Sequence, residues 1–194
     1  MRKIFKFLYP VMILTVICLV VSLALSSTNM ITEKKIEEIS KQNREKAMSR
    51  VLKAETYEEK TFKTKSQEYT YYVASDSDEI KGYIFITSTN GYGGKVEVMT
   101  AILPDKTVKA VEVLDVSSET PGLGQNAAKE EFYGQYAGKS GNLSVVKSNP
   151  EDGEIEAVTG ATITSTAVTK AVNSAIALGN AVIKAEEEGK TSEE

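Results

Sequence analysis

The spacing of hydrophobic and polar positions changes along this chain, and each change marks an element. Residues 7–25 carry no charge and are nearly all apolar. At helical rise they span roughly 28 Å, about the thickness of a bilayer's hydrocarbon core. Thr32 can cap a helix running to Lys53, with Ile36, Ile39, Ala47 and Val51 on roughly one face and charges elsewhere. From Glu68 the period falls to two. Residues 69–74 and 81–87 read as strands, Asn90-Gly91-Tyr92-Gly93-Gly94 as a tight loop, and 95–103 with 108–116 as a hairpin around Pro104-Asp105-Lys106. These make an antiparallel, twisted sheet of about four strands.

Beyond the sheet the pattern predicts a short helix over 126–136 anchored by Phe132, Tyr133 and Tyr136. Late strands follow at 143–147 and 154–158. The last helix is expected from about Ser165 to Ala185, with Val168, Val172, Ala175, Ile176, Leu178, Val182 and Ile183 forming a broad apolar face for the sheet. Gly179-Asn180 is expected to kink that helix or end its regular part early. The predicted class is α+β, divided as 1–6 N-terminus, 7–25 transmembrane helix, 26–66 helical connector, 67–185 folded domain and 186–194 charged, disordered tail.

Charge fixes an expected orientation. Arg2, Lys3 and Lys6 precede the apolar run, and Glu33, Lys34 and Lys35 are the first charges after it. That predicts a cytoplasmic N-terminus and an extracytoplasmic domain on a single span of the lipid bilayer. Tyr9 suits the membrane interface, and Pro10 is expected in the first turn, where its missing N–H costs little. Ala24-Leu25-Ser26 offers a signal-peptidase site, but the apolar run is longer than a signal peptide's core, so a retained anchor is expected. Cys18, in mid-span, reads as a small buried hydrophobe.

Composition narrows the chemistry. The 194 residues carry a net charge of −4, no His, no Trp and a single Cys. The mild acidity has no basic footprint for nucleic acid. One Cys makes neither an intramolecular disulfide, a thiolate cluster nor a CxxC pair, and without His the commonest metal ligand is missing, so no metal site is expected. Redox chemistry, if any, arrives with a cofactor.

Glu156-Ala157-Val158-Thr159-Gly160-Ala161-Thr162-Ile163-Thr164-Ser165-Thr166 is the densest chemical stretch. By itself a Thr-Gly-Ala-Thr run before a helix reads as a cap and a turn. The same unpaired N–H groups, at the positive end of the helix dipole, also make an anion site to which a phosphate on Thr162 would be suited. Ser117-Ser118-Glu119-Thr120-Pro121-Gly122-Leu123-Gly124, after the hairpin, reads either as an ordinary loop or as backbone that approaches something flat.

Gly91-Tyr92-Gly93-Gly94, Glu119-Thr120-Pro121-Gly122-Leu123-Gly124 and Thr159-Gly160-Ala161-Thr162, in this order behind an N-terminal anchor, resemble the FMN-binding domain shared by Rnf complexes and Na⁺-pumping NADH:quinone reductases. Within it they look like the RnfG subunits, which have a single span and a flavin outside the cytoplasmic membrane. The resemblance covers essentially the whole chain and makes 67–185 an FMN-binding domain. It implies covalent FMN on Thr162, joined through its phosphate by a flavin transferase that recognises Asp, two residues, Ser or Thr, Gly, Ala, Thr. Here Glu156 stands where that pattern has Asp, and Ser117 where the family usually has His. The resemblance further implies cofactor contacts from Thr159, Gly160, Ala161, Thr164, Ser165, Tyr92 and Gly93. It also puts Glu119, Thr120, Gly122, Leu123 and Gly124 along the isoalloxazine ring.

The implied function is electron relay in an ion-translocating ferredoxin:NAD⁺ oxidoreductase beside RnfA, RnfB, RnfC, RnfD and RnfE, most directly the multi-span subunits. The chain would complete no reaction alone, since it has neither a nicotinamide fingerprint nor iron–sulfur cysteines. The equivalent subunit of the quinone-reducing sodium pump, a stand-alone surface flavoprotein and a cofactor-free anchored domain remain open alternatives at this point.

Overall fold

The computed structural model describes residues 2–63, 68–77 and 79–191. Helix α1 runs Arg2–Val51. No glycine occurs before Gly82, so nothing but Pro10 interrupts helical propensity. Because the helix begins at Arg2, Pro10 lies inside it and not in its first turn as expected, and one carbonyl four residues back loses its donor. The chain divides into two compact units, residues 1–43 and 44–194. In the first, Tyr9–Met30 is long and apolar enough to cross a membrane. Ile36 and Ile39 are exposed on the same helix.

The second unit is built on a five-stranded antiparallel sheet of order β1-β2-β3-β4-β5. Its strands are β1 (Thr56–Lys63), β2 (Glu68–Asp76), β3 (Glu79–Asn90), β4 (Lys95–Ile102) and β5 (Val108–Asp115). The expected helical connector over 26–66 therefore needs correction. The helix stops at Val51, β1 is a strand, and 64–66 lie outside the described residues. β1 is an edge strand, where charged side chains replace the apolar alternation that marks inner strands. Only Tyr57, Lys60 and Phe62 along it are half-buried. Tyr57 also ends α1: its hydroxyl donates to the Leu52 carbonyl at 2.8 Å and accepts from the Ala54 N–H at 3.1 Å. The opposite edge, β5, is closed by backbone bonds between Val108 and both Gly138 and Lys139, each 2.8 Å.

Both faces of the sheet are covered, which is why β3 and β4 read as nearly continuous apolar runs. On one face Ala47, Met48, Val51 and Leu52 pack against Ala74, Ile84, Met99 and Ala101. Arg44 donates to Glu97 at 2.7 Å and Arg50 grips Glu112 through two nitrogens, tying the end of α1 to β4 and β5. On the other face Tyr71, Val73, Tyr83, Phe85, Val96 and Val98 meet helix α3 (Thr162–Thr191). Large-to-small changes at such core positions cost about 2–5 kcal/mol.

Helix α3 approaches the sheet closely because Ala167, Ala171, Ala175 and Gly179 recur at four-residue spacing. A Cβ on Gly179 would lie 2.7 Å from Ile102 Cδ1. Gly179 is thus a contact position and the helix continues through it to Thr191, in place of the expected early end. Thr87 and Thr89 of β3 donate to the Ala171 and Ala167 carbonyls at 2.9 and 2.7 Å, fixing the register. The expected tail is helical as far as Thr191, with the Tyr83 hydroxyl bonded to the Glu186 carboxylate; 192–194 lie outside the described residues.

Between β5 and α3 the chain forms a 3-10 turn (Gly124–Ala128), the short helix α2 (Glu130–Tyr133) and a second 3-10 turn (Gly134–Tyr136). A small parallel pair follows, β6 (Ser144–Val146) with β7 (Glu154–Glu156). Phe132 and Tyr136 meet edge to face at 5.9 Å, and the buried Tyr136 hydroxyl lies 2.7 Å from that of Thr169 on α3. Asn173 on α3 brackets Leu143, accepting from its N–H and donating to its carbonyl. This packing holds the start of α3 against the segment after β5, and the site lies there.

Candidate functional site

Three connections converge on one carboxylate. The loop from β3 to β4 is pinched by a 2.7 Å bond from the Gly91 N–H to the Gly94 carbonyl. The segment after β5 contributes Glu119, which is only 2% exposed. The first turn of α3 contributes Thr164, also buried. Glu119 Oε1 accepts from the Gly93 N–H at 2.9 Å and the Gly94 N–H at 3.3 Å, while Oε2 accepts from the Thr164 hydroxyl. A Cβ on Gly124 would fall 2.8 Å from both Oε2 and the Thr164 hydroxyl, so glycine there admits the carboxylate. Burial disfavours the ionised form of Glu119. The hydrogen bonds from Thr164 and from the Gly93, Tyr92 and Gly94 backbone outweigh it, and the carboxyl is held below its ordinary value of 4.5.

Around this junction opens a cleft of about 490 Å³, lined by Tyr92, Glu119, Thr120, Leu123, Gly124, Gly160, Ala161, Thr162, Ile163 and Thr164. Its walls expose apolar surface: Tyr92 is 72%, Ile163 56% and Leu123 44% exposed. Contiguous exposed apolar side chains around a hollow mark a binding surface. Among the described residues, no Lys or Arg lines it. Positive potential comes instead from the start of α3, where no protein group accepts from the N–H of Thr162, Ile163 or Thr164 among the described residues. Gly160 makes the turn into the helix with φ at +75°, a conformation costly for other residues.

The hydroxyls of the opening turn divide cleanly. Thr164 donates to Glu119, Ser165 to the Ala161 carbonyl and Thr166 to the Thr162 carbonyl. Ser165 Oγ also accepts from the Val158 N–H at 3.0 Å. The hydroxyls of Thr159 and Thr162 have no protein partner among the described residues, and both residues are exposed. Of these two, only Thr162 lines the cleft. Thr120, on the segment after β5, and Tyr92 also bring exposed hydroxyls to the cleft.

Of the residues expected at the site, Thr162, Gly160, Ala161, Thr164, Glu119, Thr120, Leu123, Gly124 and Tyr92 come together in the cleft. Five others have different surroundings. Gly93 faces Glu119 through its N–H, and the Gly122 carbonyl accepts from Asn126 at 2.7 Å. Ser165 is fully buried and holds the turn from within. Thr159 and Glu156 line a neighbouring cavity of about 570 Å³ with Asn126, Lys129, Glu131, Phe132, Gln135, Ala157 and Val158. Ile163 is the lining residue that sequence reasoning passed over. Its signal was an apolar side chain alone among hydroxyl residues in the first turn of a helix.

Comparison with known proteins adds identity to this geometry. The FMN-binding domain family matches residues 91–177. The G subunit of the Na(+)-translocating ferredoxin:NAD(+) oxidoreductase complex of Acetobacterium woodii is 38% identical over 183 residues, covering 85% of this chain and 87% of its own. The G subunit of the proton-translocating ferredoxin:NAD(+) oxidoreductase complex of Clostridium ljungdahlii is 41% identical over 107 residues. That match spans 55% of this chain and 57% of the relative. The crystal structure of NqrC from Shewanella oneidensis superposes with a TM-score of 0.48 at 22% identity, over 59% of this chain and 61% of that one. On the Acetobacterium match, which runs along most of both chains, this protein belongs to the family of G subunits of ion-translocating oxidoreductase complexes and carries their FMN-binding domain.

Proposed function

We propose that this chain is an electron-relay subunit of a membrane-bound, ion-translocating ferredoxin:NAD⁺ oxidoreductase, with FMN held covalently by a phosphoester to Thr162. The observation that carries the attachment is the hydroxyl inventory. Within 159–166, Thr162 has the one hydroxyl that is unengaged, exposed and at the cleft. The residues present suit the group. A cleft of about 490 Å³ has the dimensions of a cofactor site. Tyr92, Leu123 and Ile163 offer apolar faces for a flat ring, and the free N–H groups beginning α3 offer donors for a phosphodiester. FMN, when bound, supplies the redox chemistry by taking up and releasing electrons.

The chain's own part is to hold and to shield. Among the described residues no base stands ready to deprotonate Thr162, because the one carboxylate lining the cleft is engaged by Thr164 and the glycine loop. The phosphoester is therefore made by a separate flavin transferase. Ferredoxin oxidation and NAD⁺ reduction take place on partner subunits. The Tyr9–Met30 segment serves as a single-span anchor, with the N-terminus in the cytoplasm and the FMN-binding domain outside. Neighbouring multi-span subunits of the complex are the direct electron partners.

The deciding experiment co-expresses the full chain with a flavin transferase and runs it on a denaturing gel. Flavin fluorescence on the wild-type band, a mass gain of one FMN less one water, and loss of both in Thr162→Val are the expected results. A dark wild-type band of unmodified mass would reduce the Thr-Gly-Ala-Thr run to a helix start.

A further inference from the structure

We infer that Glu119 is a positioning residue, a buried strut that fixes the two walls of the cleft to each other and acts on the cofactor only through them. Resemblance alone sets Glu119 along the flavin ring. The geometry gives its oxygens to protein donors instead: the Gly93 and Gly94 N–H groups on one wall, the Thr164 hydroxyl on the other. The chain is shaped to receive this carboxylate. A Cβ at Gly91 would collide with Oε1, and one at Gly124 would lie 2.8 Å from Oε2. Space left by two glycines on two connections is thus filled by one side chain from the segment after β5.

The consequence follows from what each wall carries. The glycine loop presents Tyr92 to the cleft, and Thr164 lies two residues beyond Thr162 in the same helical turn. No Lys or Arg among the described residues lines the cleft, so the donors that hold the carboxylate are neutral, and each counts in fixing its place. If the strut is cut, the loop bearing Tyr92 is released from the helix start. The separation between the apolar face and the attachment hydroxyl is then no longer set. What occupies the cleft rests on the flavin reading above; the joining of the walls does not.

The test uses the full chain in detergent micelles and two variants, Glu119→Gln and Thr164→Val. The second removes only the helix arm and stands in if the first does not fold. Hydrogen exchange of the 90–95 segment is measured in a Thr162→Val background, which keeps flavin out of the comparison. Charged hydrogen bonds of this kind predict an acceleration of roughly tenfold or more when the strut is cut. With attached flavin, the visible circular dichroism and iodide quenching of the two variants are expected to depart from wild type. Unchanged exchange overturns the proposal. Faster exchange with an unaltered flavin spectrum also overturns it, leaving Glu119 a stabilising bond without a positioning role. A wild-type chain that never takes up flavin sinks the flavin reading, while the exchange measurement still decides whether Glu119 joins the walls.

Discussion

Consecutive residues of one turn line two different hollows, and the contrast between them separates a site from a cavity. Ala157, Val158 and Thr159 face the larger hollow, about 570 Å³, among Asn126, Lys129, Glu131, Gln135 and Glu156. Gly160, Ala161 and Thr162 face the smaller, about 490 Å³, among Tyr92, Leu123 and Ile163. Each has a threonine whose hydroxyl no protein group engages among the described residues. Volume does not distinguish them in the expected sense, since the larger one is lined mainly by polar side chains and by no residue of α3. The smaller one adds apolar walls and free backbone donors to the hydroxyl. An isoalloxazine needs the first, and a phosphodiester the second.

The sharpest way to break this contrast is to exchange the roles of the two threonines. Thr162→Val is expected to abolish covalent flavin, and Thr159→Val to leave the fluorescent band and the added mass intact. A Thr159→Val chain that runs dark would move the attachment to the polar hollow and undo the assignment.

The turn itself sharpens the contrast at a smaller scale. Gly160 and Gly153 both have positive φ, at +75° and +80°. A Cβ on Gly153 meets open space, whereas one on Gly160 lies 3.1 Å from Leu123 Cδ2 in the cleft wall. Gly153→Ala is expected to cost about 1–2 kcal/mol for the left-handed backbone alone. Gly160→Ala should cost more, by denaturant titration, because Leu123 must also give way. Equal losses would mean that the cleft wall yields freely and that its shape is not set at this contact.

Acid should loosen the cleft. Glu119 has a folded-state pKa depressed below 4.5, through bonds from Thr164, Gly93, Tyr92 and Gly94 that prevail over the burial opposing them. A depressed pKa contributes stability above the unfolded-state value, and that stability is lost as pH falls from about 4.5 through the lower folded value. Asp76, held down first by its bond from Lys81, and Asp105, held down by Thr107, add to the same trend. Thermal unfolding followed from pH 6 to pH 3 should therefore show falling stability, with a smaller fall in Glu119→Gln than in wild type. Parallel curves would show that Glu119 is not ionised in the folded chain.

How much of this was legible beforehand depended on which force set each feature. β2 to β5 and α3 follow from apolar spacing, because burial selects those positions directly. β1 did not show, since Glu58, Glu59, Lys60 and Lys63 guard an edge and hide the strand behind helix-like charge. Gly179 looked like a break because sequence cannot say that Ile102 lies against it. At the site, the resemblance pointed to Thr162, Leu123, Tyr92 and Glu119, but not to the donors that Glu119 meets. Which donors a carboxylate meets is decided by three connections distant in sequence, and no local pattern encodes that meeting. The hydroxyl inventory was equally hidden. Five hydroxyl residues in 159–166 look alike until partners are counted.

The smallest expected effect concerns Glu156, and it bears on how the site is found more than on how it is built. Glu156 is exposed on β7, at the polar hollow, where the resembled pattern has Asp. Its backbone is pinned on both sides by Gln135, whose Oε1 accepts from the Glu156 N–H at 2.8 Å and whose Nε2 donates to the carbonyl at 3.2 Å. Shortening the side chain by one methylene therefore leaves the backbone in place and no buried group unpaired. Glu156→Asp should change unfolding free energy by no more than about 0.5 kcal/mol, as surface substitutions do. With flavin transferase limiting, attachment at Thr162 should become faster, by less than about tenfold, which corresponds to an interaction below about 1.4 kcal/mol. The final extent of labelling should not change, because the cleft does not contain this residue. If Glu156→Asp instead lowered the labelling endpoint, the two hollows would be coupled in the finished site, and treating the polar one as separate from the cofactor's seat would fail.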